Sequence, residues 1–338
     1  MKKLRLLLWP FAILYDFVTR VRNVFFDHGI FAQKIYDFPV IGVGNLSMGG
    51  TGKTPMIEYL VELLNRNHKL GILSRGYGRN TKGYLDVEPH LSAAATGDEP
   101  LQFARKYTDV QVAVSEKRSL GIISLRRKIP VPEVILLDDV YQHRHVKPGL
   151  LIMLTAFDDL FYNDFVLPAG NLRESRSGAK RADIVVVTKC QEVLSEAVRI
   201  QIRTKIKSYT DAPVFFSSIA YGLPVGKKGI LCWDDLKSQP ITVVTGIAKP
   251  KPFIDHLNSL GIDYEYLRFN DHHKFSDFEL QDLDQKEYIL TTEKDYVRLA
   301  GKLKHANLVY LPIKVDFLVN SESFDNSILN YVMNEFPA

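Results

Sequence analysis

Residues 47–55 read SMGGTGKTP, from Ser47 to Pro55, and how this stretch is interpreted decides the fold. A phosphate-binding loop follows the pattern GxxxxGK[ST] between a strand and a helix. Here the register runs Ser47, Met48, Gly49, Gly50, Thr51, Gly52, Lys53, Thr54, with serine in place of the first glycine. The flanks suit the pattern. The apolar run VIGVGN (40–45) precedes it, and the helix-like PMIEYLVELLNRN (55–67) follows. Three glycines let successive backbone N–H groups curl round one phosphate. The start of the helix adds its dipole. Pro55 falls near the first turn, where a missing N–H costs little. Lys53 is then placed to neutralise the β- and γ-phosphates, and the Thr54 hydroxyl to ligate Mg²⁺. Serine serves at the first position if its backbone stays in an allowed region. The plainer alternative, a glycine-rich turn with a chance Gly-Lys-Thr, is disfavoured by the order strand, loop, helix.

The expected partner of such a loop is an apolar strand ending in carboxylates. EVILLDD (133–139) supplies one, with Asp138 and Asp139 at its end. Carboxylates at a strand's C-terminal end sit beside the phosphate loop in parallel sheets, where one of them holds Mg²⁺ directly or through water. Alone, the pair also fits a charged turn; with the loop it becomes a site. Further short runs rich in β-branched residues read as buried strands: KLGILS (69–74), VQVAVS (110–115), LLIMLTAF (150–157) and DIVVVTK (183–189). Their alternation with helical stretches predicts an α/β fold, a mainly parallel sheet with helices on both faces. After PVFFSSIAYG (213–222) the pattern changes around a turn at 227–229. ITVVTG (241–246), KPFIDHLNSLG (251–261), YEYLRF (264–269), EYILTTEKDYVRLA (287–300) and LVYLPI (308–313) then repeat a strand–helix rhythm. The expected organisation is a helix at 1–28, a phosphate-loop domain at 29–222, a linker at 223–233 and a smaller α/β domain at 234–338.

Composition narrows the class. Of 338 residues, 46% are hydrophobic and 24% charged, the usage of an ordinary globular chain long enough for two domains. The net charge of +4 is too mild to predict nucleic acid as a partner, but it is compatible with an anionic ligand or membrane surface. Cys190 and Cys232 are far apart, which fits a reduced compartment with neither a disulfide framework nor a zinc site. The N-terminus is unusual. Its uncharged apolar stretch, Leu6 to Tyr15, is ten residues, against roughly 20 for a spanning helix. No small-residue cleavage site follows it, as a signal peptide would require. Trp9, Phe11, Tyr15 and Phe25 with Lys2, Lys3, Arg5, Arg20 and Arg22 fit an interfacial helix; packing on the protein's own core is the alternative.

The ordered blocks SMGGTGKTP, LSRGYGR (73–79), GDEP (97–100), DDVYQHR (138–144), LPAGNLRES (167–175), NDHHKF (270–275) and TTEKD (291–295) resemble the tetraacyldisaccharide 4′-kinase family. The resemblance covers most of the chain. It departs at Val140-Tyr141, where Gly and a following aromatic or Leu are frequent, and at Asn171, where Pro is common. It implies that ATP with Mg²⁺ phosphorylates the 4′-hydroxyl of a tetraacylated glucosamine disaccharide 1-phosphate to give lipid IV-A. The expected location is the cytoplasmic face of the bacterial inner membrane, with peripheral or monotopic attachment. Asp98 in GDEP matches the family's proposed base and His272 the histidine acting with it, His273 being the runner-up. From the residues alone this pairing does not follow. Asp98 equally fits a helix cap before Glu99-Pro100, and either histidine fits a structural role. Arg75, Arg118 and Arg173 are expected at the substrate's phosphate, since guanidinium forks suit it; for Arg79 surface pairing is an equal alternative. Gln142, His143 and Glu174 are expected to meet the sugar or orient the aspartates.

Two other classes remain open at this stage, a phosphate-loop GTPase or metallochaperone-like ATPase and a nucleotide-dependent membrane switch. Against the first, Thr188-Lys189 lacks the Asp of a guanine-reading NKxD, and the sequence has no Cys/His cluster.

Overall fold

The structure, a computed structural model, describes residues 5–227, 229–271 and 273–334. Each apolar run of the first 222 residues forms a strand. They are β1 (Val40–Asn45), β2 (Leu70–Ser74), β3 (Leu85–Asp86), β4 (Gln111–Val114), β5 (Val134–Leu137), β6 (Leu150–Ala156), β7 (Ile184–Thr188) and β8 (Val214–Tyr221). With β15 (Ile313–Phe317) they make one sheet in the order β15-β8-β7-β6-β1-β5-β2-β4-β3. The interior pairs from β8 to β4 are parallel; β15 and β3 close the two edges antiparallel. β1 therefore lies between β6 and β5, with Gly42 opposite Leu137 and Asn45 opposite Leu154. Strands β1, β2, β5 and β7 are buried along their whole length, as parallel strands covered on both faces must be. The expected α/β class is the observed one.

A second sheet, β10-β9-β14-β13-β11-β12, is built from β9 (Val225–Gly226), β10 (Gly229–Ile230), β11 (Ile241–Thr245), β12 (Tyr264–Arg268), β13 (Tyr288–Thr292) and β14 (Asn307–Leu311). It carries its own core of Leu236, Ile241, Val243, Phe253, Leu257, Leu290 and Val309. The run 308–313, read above as one strand, is two. Pro312 cannot donate to a ladder, and there the chain leaves the smaller sheet and enters the larger one. The Gly222 N–H donates to the Pro312 carbonyl at 2.9 Å, so the two crossings between sheets lie side by side. The last helix, Ser321–Asn334, also belongs to the large unit: Phe324, Ile328, Tyr331 and Val332 join the core of β1 and the loop-following helix. Phe317 and Phe324 pack edge and face against Tyr59 and Phe215. Strand period and rhythm placed 313–338 with the smaller unit, whereas apolar burial returns it to the larger.

The close approach of β1 to the turn after β5 requires glycine. A Cβ on Gly44 would lie 2.7 Å from Tyr141 Cβ and 2.8 Å from its backbone nitrogen. Backbone cannot step aside as a flexible side chain can. Gly44→Ala is expected to cost about 1–3 kcal/mol of stability, read as a lower denaturation midpoint. An unchanged midpoint would mean the turn is slack.

Candidate active site

The site is assembled at the C-terminal ends of the central parallel strands, where open α/β sheets place their ligands. After β1, Gly49 (φ 117°) and Gly52 (φ 86°) adopt backbone that disfavours side chains, and the helix Lys53–Leu64 begins at once. The Thr51 N–H donates to the Gly49 carbonyl at 3.0 Å, tightening the loop. Ser47 is buried and bridges Leu172, and the Met48 N–H donates to the Asn171 carbonyl at 2.7 Å, so serine at the first position serves through its backbone. Gly49 and Gly50 lie exposed on the crest, while Lys53 and Thr54 are half-buried at the helix start. Lys53 Nζ lies 3.4 Å from Asn45 Oδ1 and 3.5 Å from Asp139 Oδ1. Loop and aspartate pair are thus brought together.

The two aspartates have different environments. Asp138 is buried and accepts from Ser74 Oγ at 2.9 Å. Burial, then the charge of Asp139, pushes its pKa up to about 6. Asp139 stands at φ 48°. Burial works against its charge too, but Lys53 and then Arg173 outweigh it and hold its pKa below the usual carboxylate range. Arg173 Nη1 donates to both oxygens of Asp139, at 3.1 and 3.0 Å, and to Gln142 Oε1 at 3.1 Å. Burial and neighbouring charge thus set the two carboxylates apart, Asp139 being the more firmly ionised of the pair.

Arg75 is exposed just beyond β2. Arg118 is buried and donates to the carbonyls of Ser115 and Asp138, so its visible work is holding the aspartate turn. His143, half-buried, has its pKa lowered to about 4 by burial, then by Arg118 and Arg75, and is neutral at physiological pH. Arg79 is held by Glu116 and the Gly83 carbonyl, both at 2.5 Å, away from this group. Gln142 Nε2 donates to the Asn45 carbonyl at 2.9 Å and to Glu174 Oε1 at 3.2 Å. Glu174 is fully buried and accepts from Asn23 Nδ2 at 2.7 Å. It links the site to the N-terminal helix Trp9–Asp27.

That helix docks along one side on the site's outer loop. Tyr15 donates to the Arg173 carbonyl at 2.8 Å and Trp9 meets Phe165 edge-on at 5.0 Å, while Arg5, just before the helix, donates to Asn171 Oδ1 at 2.8 Å. Its remaining surface exposes Phe11, Ile13, Leu14, Phe17 and Val18, and the turn before it exposes Leu7, each at least 57% exposed. Among the described residues no helix is long and apolar enough to cross a membrane.

Asp98 opens the helix Asp98–Lys106 after Gly97. Its Oδ2 accepts from Arg298 Nε at 2.9 Å and Nη2 at 2.5 Å. Arg298, on the helix Glu293–Leu299 of the smaller unit, also donates to Asp295 and to the Gly246 carbonyl, both at 3.0 Å. Lys294 pairs with Glu99 at 3.3 Å. Lys106 joins the same face, 2.6 Å from Glu58 of the loop-following helix and 3.0 Å from Glu293. Sequence reasoning left Arg298 unassigned; only its nearness to TTEKD hinted at a role. His272 lies outside the described residues. Its neighbour His273 is engaged by Glu279 at 3.0 Å and packed against Phe269 and Phe275.

The sequence pattern of the LpxK family, described as tetraacyldisaccharide-1-P 4′-kinase, matches residues 4–333. A tetraacyldisaccharide 4′-kinase of Flavobacterium johnsoniae is 49% identical over 336 residues, covering 98% of this chain and 98% of that protein. One of Bacteroides thetaiotaomicron is 40% identical over 353 residues, covering 96% and 92%. Among solved structures, LpxK from Aquifex aeolicus in complex with ATP superposes with a TM-score of 0.83 at 34% identity, covering 97% of this chain and 99% of that one.

Proposed function

This chain belongs to the tetraacyldisaccharide-1-phosphate 4′-kinase family, and on that premise we propose that it transfers the γ-phosphoryl group of ATP to the 4′-hydroxyl of a tetraacylated glucosamine disaccharide 1-phosphate, giving lipid IV-A. The observation that carries the reading is the phosphate loop with Lys53 drawn towards Asp139 between the central strands. The kinase reading is favoured over a GTPase, metallochaperone or membrane switch because the family covers nearly the whole chain.

Phosphoryl transfer is mostly positioning and charge stabilisation. The loop amides and Lys53 hold the polyphosphate. Thr54, Asp138 and Asp139 are the residues that would hold a Mg²⁺ ion, and the ion would supply charge neutralisation to the transferring phosphates. Arg173 steadies Asp139. Burial, then Arg118 and Arg75, keeps His143 neutral, and this cationic surrounding suits an anion; we assign Arg75, Arg118, His143 and Gln142 to the substrate side, with Glu174 as their support. Asp98 is the group assigned to the acceptor hydroxyl, acting with His272. The deciding assay supplies ATP, Mg²⁺ and the acylated disaccharide monophosphate, then weighs the lipid product. Gain of one phosphoryl group is expected. ATP hydrolysis indifferent to the lipid would overturn the kinase reading.

A four-chain lipid stays in its bilayer, so the enzyme must reach it there. The exposed apolar residues of the N-terminal helix support docking at headgroup level on the cytoplasmic face of the inner membrane. Because Tyr15 and Asn23 tie that helix to the site, truncation would damage both; surface charges test it more cleanly. The triple change Phe11→Glu, Leu14→Glu, Phe17→Glu is expected to abolish co-sedimentation with anionic vesicles while sparing turnover of detergent-dispersed substrate. Unchanged co-sedimentation would assign anchoring to another surface.

A further inference from the structure

The end of β7 carries a cation that the chemistry above does not use. Thr188 Oγ1 donates to the Thr51 carbonyl at 2.7 Å, locking the strand end to the phosphate loop. The next residue, Lys189, has φ 57°. This is left-handed backbone, which a lysine enters rarely and at a cost. The turn delivers its ammonium to the loop's crest: Nζ lies 3.7 Å from where a Cβ on Gly50 would stand. Lys53, by contrast, is drawn towards Asn45 and Asp139. No hydrogen bond or ion pair holds Lys189 among the described residues. The side chain is accessible to solvent. Even so, enough protein surrounds it that desolvation, then the charge of Lys249, lowers its pKa. Lys249 itself is paired with Asp159 at 3.1 Å. A strained backbone thus holds an uncommitted ammonium beside exposed loop glycines. That arrangement costs stability and returns nothing to the fold, but it gains once an anion occupies the loop.

We propose that Lys189 is a second phosphate-binding cation of this site, contacting the α- and β-phosphates common to ATP and ADP, whereas Lys53 serves the transferred group. The division follows from placement. The amides of a phosphate loop cradle the α- and β-phosphates, and its own lysine reaches the β- and γ-phosphates; an ammonium over Gly50 belongs to the former. The inference rests on the nucleotide reading of the loop.

Titration calorimetry on the full chain, with Mg²⁺ and either ATP or ADP, tests both together. Lys189→Ala is expected to raise both dissociation constants by the same factor, about 10–100-fold, as for loss of one charge-assisted hydrogen bond. Lys189→Met keeps the stem and loses the charge, so it should match the alanine variant; Lys189→Arg should stay within a few-fold of wild type. Lys189→Gly, for which this φ costs nothing, should lose affinity while melting no lower than wild type, which separates binding from folding. Wild-type affinity in Lys189→Met would mean that the stem packs on the nucleotide and would overturn a phosphate contact. Weakened ATP with unchanged ADP would overturn the assignment to the shared phosphates. If Lys189→Ala and Lys189→Gly bind as wild type does, this proposal alone fails. If wild type binds neither nucleotide, the phosphate-loop reading fails with it.

Discussion

Asp98→Asn is expected to cut turnover of the acylated disaccharide by ~10²–10⁴, the usual range for loss of a general base, with ATP affinity nearly unchanged. The change keeps shape and removes charge and basicity. A sugar hydroxyl is a poor nucleophile, and the phosphate loop offers no group to receive its proton. The carboxylate of Asp98 is clamped from the smaller unit by Arg298. Such a guanidinium fork fixes the carboxylate's direction. Arg298→Lys should therefore lower turnover less than Asp98→Asn. His272→Ala should lower it as well, and if the two act as one unit the double variant should be scarcely worse than the worse single one. Fully multiplicative losses would assign His272 an independent task. The engagement of His273 with Glu279 supports His272 as the working histidine; a damaging His273→Ala beside a mild His272→Ala would reverse that choice. Wild-type turnover in Asp98→Asn would shift the role to another carboxylate, Asp139 being next.

Lys53→Ala should reduce transfer by ~10²–10³, the cost of losing one electrostatic clamp on a developing charge, and should leave the fold intact. The second half follows from its contacts. Those to Asn45 and Asp139 are 3.4 and 3.5 Å, too long to carry much stability. An ammonium so loosely held is free to move onto a phosphate. Thr54→Ala should weaken the dependence on Mg²⁺ without matching that loss. Near-wild-type turnover in Lys53→Ala, measured beside an unchanged melting point, would sink the phosphate-loop reading.

Much was determined by the chain's local pattern. Short apolar runs rich in β-branched residues fit buried strands, and their alternation with helical stretches is what points to a covered parallel sheet. The loop and the aspartate pair were likewise readable, because both follow strands that such a fold must set side by side. Tertiary structure decided what depends on distant partners. Asp98 and Arg298 meet across two units. Their pairing is set by how the helices Asp98–Lys106 and Glu293–Leu299 pack, and no local period encodes that. Pro312 announces a break but not which sheet the chain joins beyond it; burial of Phe317 and Phe324 makes that choice. The opposed shifts of Asp138 and Asp139 arise in the same way. Two adjacent identical residues differ only in what surrounds them: burial, then the charge of Asp139, raises the one, while Lys53 with Arg173 outweighs burial and lowers the other, and the packing that sets this comes from elsewhere in the chain.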